Sequence, residues 1–236
     1  MSYYLKVLPK EKELEKAIAG YAKEVFNQKI DDKLLDYQRK RLDYIKTFIN
    51  KKVNILDIGC GNGVFMRIAK ENGFSVAGMD MAKAIVTTLQ KKGFTMFDDL
   101  KKIPNNSFDL ITLFDVIEHV PNPKKFINDI RSKLKSTGVL CLTTPNSRGM
   151  TANILPFVLL KTTTSDHPVL YNPTSLQSLL KREKFSIVDV RTDILLSWWY
   201  TKYKIFNKMM NKLIYTALYP LSGYLFSKHL GDNIQI

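Results

Sequence analysis

The segment Asp57-Ile58-Gly59-Cys60-Gly61-Asn62-Gly63 sets three glycines at alternate positions behind a carboxylate. Glycines let the backbone approach a ligand closely and adopt φ values that other residues resist. A dinucleotide fingerprint needs Gly-x-Gly-x-x-Gly, but its third glycine position here is Val64. The Asp57 carboxylate at the mouth of the loop would also repel a pyrophosphate. An acidic glycine-rich loop suits a cationic ligand instead. Further carboxylates follow at Asp80, Asp98 and Asp99, and the histidines include His119 and His167. Histidine titrates near neutral pH, which suits it to removing a proton from an acceptor.

These residues need a frame, and the apolar periodicity supplies one. Residues 10–49 read as helix, with Leu14, Ile18, Tyr21, Ala22 and Val25, then Leu34, Leu35, Leu42, Ile45 and Ile49, at helical spacing. Short apolar runs alternating with amphipathic ones follow. Strands are expected over 53–58, 74–79, 94–97, 108–114, 139–143 and 185–190, and at 232–236. Helices are expected over 64–71, 82–91, from Asn122-Pro123 to Lys135, and from Asn172-Pro173. Strand–helix alternation of this kind predicts an α/β fold, a parallel sheet with helices on both faces. In such sheets ligands bind beyond the carboxyl ends of the strands, where the glycine loop falls.

Composition narrows the class. Of 236 residues, 45% are hydrophobic and 25% charged, which excludes general disorder and leaves ample core for one domain spanning 1–236. Cys60 and Cys141 build neither a disulfide framework nor a CxxC metal site, and they fit a reducing, cytoplasmic setting. The start of the chain has no apolar signal core, and no uncharged run reaches the roughly 20 residues of a spanning helix. The formal net charge of +14 attracts nucleic acid, anionic lipid or acidic small molecules without choosing among them.

With these landmarks in order, the sequence resembles the class I S-adenosylmethionine (SAM) dependent methyltransferases. Val53 to Phe65 resembles their motif I, and the sulfonium and ammonium of SAM account for an acidic loop. The resemblance runs over residues 38–192 and implies a Rossmann-like, seven-stranded sheet whose last strand is antiparallel. It implies cofactor contacts from Asp57, Gly59, Cys60, Gly61 and Gly63. Asp80, 23 residues after Asp57, matches the acid that binds both ribose hydroxyls, with Met81 beside it. Asp98 matches the acid at the adenine amino group, with Asp99 as the alternative one residue on, and Phe114 ends the fourth strand of the site.

Glu118-His119-Val120-Pro121 resembles the small-molecule branch, notably the ubiquinone-biosynthesis O-methyltransferases. The branch implies that Arg41 approaches the methionine carboxylate of SAM; the competing reading puts Arg41 on a solvated helix face. It implies His119 and His167 as candidate catalytic bases, each with a loop-holding role as the alternative. Some relatives carry Glu-x-x-Glu-His as a divalent-metal site, and Asp115, Glu118 and His119 are a shortened counterpart. The motifs of base-methylating enzymes are missing after strand four, so nucleic acid is an unfavoured acceptor and RNA rests on charge alone.

Residues 194–230 carry five lysines, Lys202, Lys204, Lys208, Lys212 and Lys228, and no acid. Trp199, Tyr203, Phe206, Met210, Leu213 and Ala217 recur there at helical steps, the pattern of an amphipathic helix at a membrane surface or over a greasy substrate. A packed helix or a dimer contact fits the same pattern. Together with the apolar segment 147–167 it points to a small-molecule or lipid-linked acceptor. The alternative class is a catalytically idle SAM-fold subunit that binds a membrane or a partner protein.

Overall fold

The computed structural model describes residues 11–49, 53–149, 169–193 and 233–236. They fall into two compact units. One comprises the described residues up to Val116 together with Asn122–Leu142; the other comprises Ile117–Pro121 and the described residues from Thr143 onward. Among the described residues seven strands, β1 (Asn54–Ile58), β2 (Ser75–Met79), β3 (Thr95–Phe97), β4 (Phe108–Phe114), β5 (Leu134–Pro145), β6 (Arg191–Asp193) and β7 (Asn233–Gln235), hydrogen-bond in the order β3-β2-β1-β4-β5-β7-β6.

The first unit opens with α1 (Glu11–Asn27) and α2 (Asp32–Ile45). Asp31 separates them: its carboxylate accepts from the Leu34 amide at 2.9 Å and caps α2. Then come β1 (Asn54–Ile58), α3 (Val64–Glu71), β2 (Ser75–Met79), α4 (Lys83–Lys91), β3 (Thr95–Phe97), β4 (Phe108–Phe114) and α5 (Pro123–Lys133), leading into β5 (Leu134–Pro145). Strand β1 is buried from Ile55 to Ile58, as expected of a parallel strand covered on both faces. Asn122 caps α5 by accepting from the Lys125 amide at 3.1 Å, with Pro123 in the first turn.

The parallel register positions the site. Ile58 pairs with Met79 and with Leu113, and Met79 pairs with Phe97. The four strands therefore end within a residue of one another, and Gly59, Asp80 and Asp98, which follow their strands, emerge along one edge with Phe114, the last residue of β4. Beneath them, Leu42 and Ile45 of α2 and Val64, Phe65 and Ile68 of α3 pack with Ile55, Leu110 and Cys141 in one buried cluster. Ala22 of α1 joins Cys60, Met66, Ala82, Ile85, Val86, Leu89 and Met96 in another. Both cysteines are buried and reduced.

In the second unit, a single 3-10 turn covers Ile117–His119, followed by α6 (Pro173–Arg182), β6 (Arg191–Asp193) and β7 (Asn233–Gln235). A capping box starts α6: the Ser175 amide donates to Asn172 Oδ1 at 3.0 Å and the Asn172 amide to Ser175 Oγ at 2.9 Å. Strand β7 is antiparallel to both β5 and β6, the expected last strand.

Two expected elements differ: the helix expected to reach Lys135 ends at Lys133 and the strand expected over 139–143 begins at Leu134, and the strand expected over 185–190 is displaced. Residues 185–190 are irregular, and the strand lies at 191–193. Asp189 draws its neighbours into local bonds, accepting from the Val190 amide and from Arg191 Nε, each at 2.8 Å. Such bonds compete with a strand ladder, and Val188 is left 74% exposed. Among the described residues no helix is long and apolar enough to cross a membrane. The segments 150–168 and 194–232, with His167 and the basic aromatic stretch, lie outside the described residues.

Candidate cofactor site

The loop after β1 is bare backbone by necessity. Gly59, Gly61 and Gly63 all have positive φ, at 71°, 51° and 72°. At Gly59 a Cβ would run into the Val116 side chain; at Gly61 it would enter a gap whose nearest atoms are Tyr21 Oη at 3.5 Å and Val25 Cγ1 at 3.9 Å. Left-handed φ and close approach together demand glycine. The Gly59 and Cys60 amides donate to the Met79 carbonyl at 2.8 and 3.2 Å, which fastens the loop to the end of β2.

Two carboxylates face this loop from below the solvent boundary. Asp57 and Asp80 are each 3% exposed. Asp57 Oδ1 accepts from the Thr112 hydroxyl at 2.7 Å. Burial pushes the Asp57 carboxyl up to about 7, against the weaker opposing pull of the Thr112 bond and the Arg41 charge. Asp80 Oδ1 accepts from the Ala82 amide at 2.9 Å, and Oδ2 from the Gly61 amide at 3.2 Å. Burial raises the Asp80 carboxyl too, with those amides working the other way. Burial and the two carboxylates hold the Cys60 thiol far above its ordinary range, so Cys60 is no nucleophile.

Arg41 is buried, which overturns the solvated-face reading; its neighbour Lys40 is the exposed one, paired with Asp36. Its Nη2 donates to Tyr37 Oη at 2.9 Å and to Asp115 Oδ2 at 3.2 Å. The guanidinium carbon lies 4.2 Å from the Phe114 ring centre and 4.3 Å from that of Tyr37. Burial opposes the charge, but Tyr37 and Asp115 outweigh it and keep Arg41 a cation. Phe114 also meets Phe65 edge to face at 5.0 Å. Asp115 sits at φ 57°, a strained value for a non-glycine residue, directly after β4.

At the end of β3 the two adjacent acids divide. Asp99 caps the turn Leu100–Lys102, accepting from the Lys101 amide at 2.9 Å. Asp98 pairs with Lys102 at 2.7 Å, and that bond lowers its carboxyl below the usual range. Met81, next to Asp80, is 64% exposed. In the second unit, Glu118 is buried and accepts from Thr144 Oγ1 at 2.9 Å, while His119 is exposed. Among the described residues no three His, Cys, Asp or Glu side chains gather into a metal-holding group. Three site neighbours have weak sequence signals: Thr112 lies inside an apolar strand run, Tyr37 one helical turn before Arg41, and Tyr21 on an apolar stripe.

The donor set fits SAM: a glycine cradle, two buried acids for a cationic ligand, and a buried arginine able to meet a carboxylate. A family model described as a methyltransferase domain matches residues 22–190. The chain belongs to the SAM-dependent methyltransferase family. It is similar to the ubiquinone biosynthesis O-methyltransferase of Glaesserella parasuis serovar 5, 33% identical over 119 residues, 42% of this chain and 50% of that protein. The protein of the same name from Coxiella burnetii (strain Dugway 5J108-111) is 26% identical over 167 residues, 64% of this chain and 71% of its own length. The chain thus spans from 50% to 71% of the length of these curated relatives. In fold it is similar to a SAM-dependent methyltransferase from Archaeoglobus fulgidus, with a TM-score of 0.59 at 20% identity over 84% of this chain and 90% of that one.

Asp57 makes a pH prediction. An ordinary Asp titrates near 3.9, and the folded value is about 7. Between those values the folded state binds the extra proton, so its stability falls as pH rises through the window and levels off above it. The slope approaches about 1.4 kcal/mol per pH unit. In urea unfolding without cofactor, Asp57→Asn should gain on the parent by at least about 2 kcal/mol between pH 5 and pH 8. A difference that does not change with pH would show that Asp57 is not held protonated.

Proposed function

We propose that this protein transfers the methyl group of SAM to the hydroxyl oxygen of a small-molecule acceptor, phenolic or lipid-linked. The observation that carries the reading is the likeness to two curated O-methyltransferases, together with the intact cofactor landmarks Asp57, Gly59, Gly61, Gly63 and Asp80. When bound, SAM supplies an electrophilic methyl carbon on a sulfonium. In this reading Asp80 receives the ribose hydroxyls, Asp98 the adenine amino group, and Arg41 meets the methionine carboxylate. His119 takes the proton that the acceptor hydroxyl must lose. Most of the rate comes from holding the acceptor oxygen in line with the methyl carbon, since orientation alone is worth several orders of magnitude. The whole chain serves this one activity as a single domain.

The test is methyl transfer from labelled SAM to a panel of phenols, amines and carbon acids. Label should enter the hydroxyl compounds, and His119→Ala should lower turnover about a hundredfold with little change in SAM affinity. Turnover near the parent value would reassign His119 to a loop-holding role. Label on nitrogen or carbon would refute the hydroxyl acceptor, and SAM binding without any turnover would favour an idle subunit.

The lipid-linked part of the reading rests on sequence alone, on the acid-free stretch 194–230. Each lysine near an anionic bilayer contributes about 1 kcal/mol, and the attraction weakens as the Debye length shrinks from about 10 Å at 0.1 M salt to about 3 Å at 1 M. In flotation assays the protein should bind anionic but not neutral vesicles, release at 1 M salt, and lose binding when Lys202, Lys204, Lys208 and Lys212 become Gln. No binding to anionic vesicles at low salt would refute the membrane contact and leave the methyltransferase reading standing.

A further inference from the structure

Helix α1 contributes none of the cofactor contacts that the family resemblance implies, and the family match begins at residue 22, after Tyr21. Yet α1 is built against the glycine loop at three points. Ala22 is 5% exposed and packs among Cys60, Ala82, Ile85, Val86 and Leu89, with Ile18 and Val25 against the same cluster. At the end of the helix, Asn62 Nδ2 in the glycine loop donates to Gln28 Oε1 at 3.0 Å. Between them, the Tyr21 hydroxyl lies 3.5 Å from Asp80 Oδ2, the oxygen that also accepts from the Gly61 amide. The same hydroxyl is the nearest atom to the missing Cβ of Gly61, again at 3.5 Å.

The chemistry of that hydroxyl is specific. Tyr21 is 42% exposed as a residue, but its hydroxyl end is turned in against the loop, where desolvation and then the Asp80 carboxylate hold the proton on, so it donates toward Asp80. A separation of 3.5 Å is long for an O–H···O bond, which ordinarily closes to 2.5–3.0 Å. A carboxylate offers about four lone-pair sites; Ala82 takes one on Oδ1, and Gly61 and Tyr21 converge on Oδ2, which leaves room on Oδ1 for a ribose hydroxyl.

We propose that Tyr21 is a positioning residue for the cofactor: its hydroxyl orients the Asp80 carboxylate for the ribose and fastens α1 over the glycine loop, so that cofactor binding and α1 docking strengthen each other. The proposal rests on Asp80 as the ribose-binding acid and is independent of which acceptor is methylated. Coupling of this kind is reciprocal: whatever Tyr21 adds to cofactor affinity, the cofactor returns to the docking of α1.

The experiment uses the full chain and S-adenosylhomocysteine as the probe, so that no acceptor is needed. By calorimetry Tyr21→Phe, which keeps the ring and removes only the hydroxyl, should weaken binding about tenfold. In an Asp80→Asn background the same change should cost less than about twofold, because the partner it acts through is altered. Tryptic cleavage after Lys16 and Lys23 of α1, followed by mass spectrometry, should slow with the probe in the parent and not in Tyr21→Phe. Equal probe affinity in parent and Tyr21→Phe would overturn the proposal. An equal loss in both backgrounds would also overturn it, since Tyr21 would then act on folding rather than through Asp80. If the parent binds no S-adenosylhomocysteine at all, the cofactor site itself is misassigned and this proposal falls with it.

Discussion

Two carboxylates held out of water at the ends of adjacent parallel strands are the constraint on which the rest of this site depends. Asp57 and Asp80 are each nearly inaccessible to solvent, and the Asp80 charge adds to the cost of ionising Asp57. Burying an unpaired carboxylate is expensive, and proteins answer by protonating it, pairing it or surrounding it with donors. Protonation and donors are both in use: Asp57 is pushed toward neutrality, Thr112 donates to it, and the Gly61 and Ala82 amides converge on Asp80. A ligand carrying positive charge and hydroxyl donors relieves the same strain from the other side. That is why the loop selects a sulfonium-bearing nucleoside over a pyrophosphate.

The counterweight is Arg41. It is a permanent cation buried beside the carboxylates, held between two aromatic rings and tied to Asp115. The guanidinium is 6% exposed and the Asp115 carboxylate 47%, so the ion pair spans the edge of the buried region. The left-handed backbone at Asp115 is the local strain that brings its carboxylate to Arg41. Strand register does the remaining placement, since four strands that end within a residue of one another deliver the glycine loop and three of the acids to one edge.

Much of this was legible in the residues because punctuation is local. Gly63 and Asn72 bound α3, and Asn122-Pro123 and Asn172-Pro173 open their helices at the expected residues. Strand β4 has its expected limits because a turn precedes it and a strained acid follows it. The glycine loop declared both its conformation and the sign of its ligand. Tertiary partners were not legible. Residues 185–190 have strand-like composition, but Asp189 spends its carboxylate locally and the strand moves to 191–193. Arg41 has charged neighbours in sequence, so its burial shows only once Tyr37 and Phe114 enclose it. Tyr21 reads as one more apolar stripe residue until its hydroxyl is seen beside Asp80.

The central claim is that Asp80 and the glycine loop form a SAM site. Calorimetric titration of SAM into the parent protein and into Asp80→Ala tests it most directly. Asp80 should account for about 2–4 kcal/mol of binding through charge-assisted bonds to the ribose, so the variant should bind at least about thirtyfold more weakly while the parent binds one equivalent. Equal affinity in the two proteins, or no binding to the parent, would contradict it.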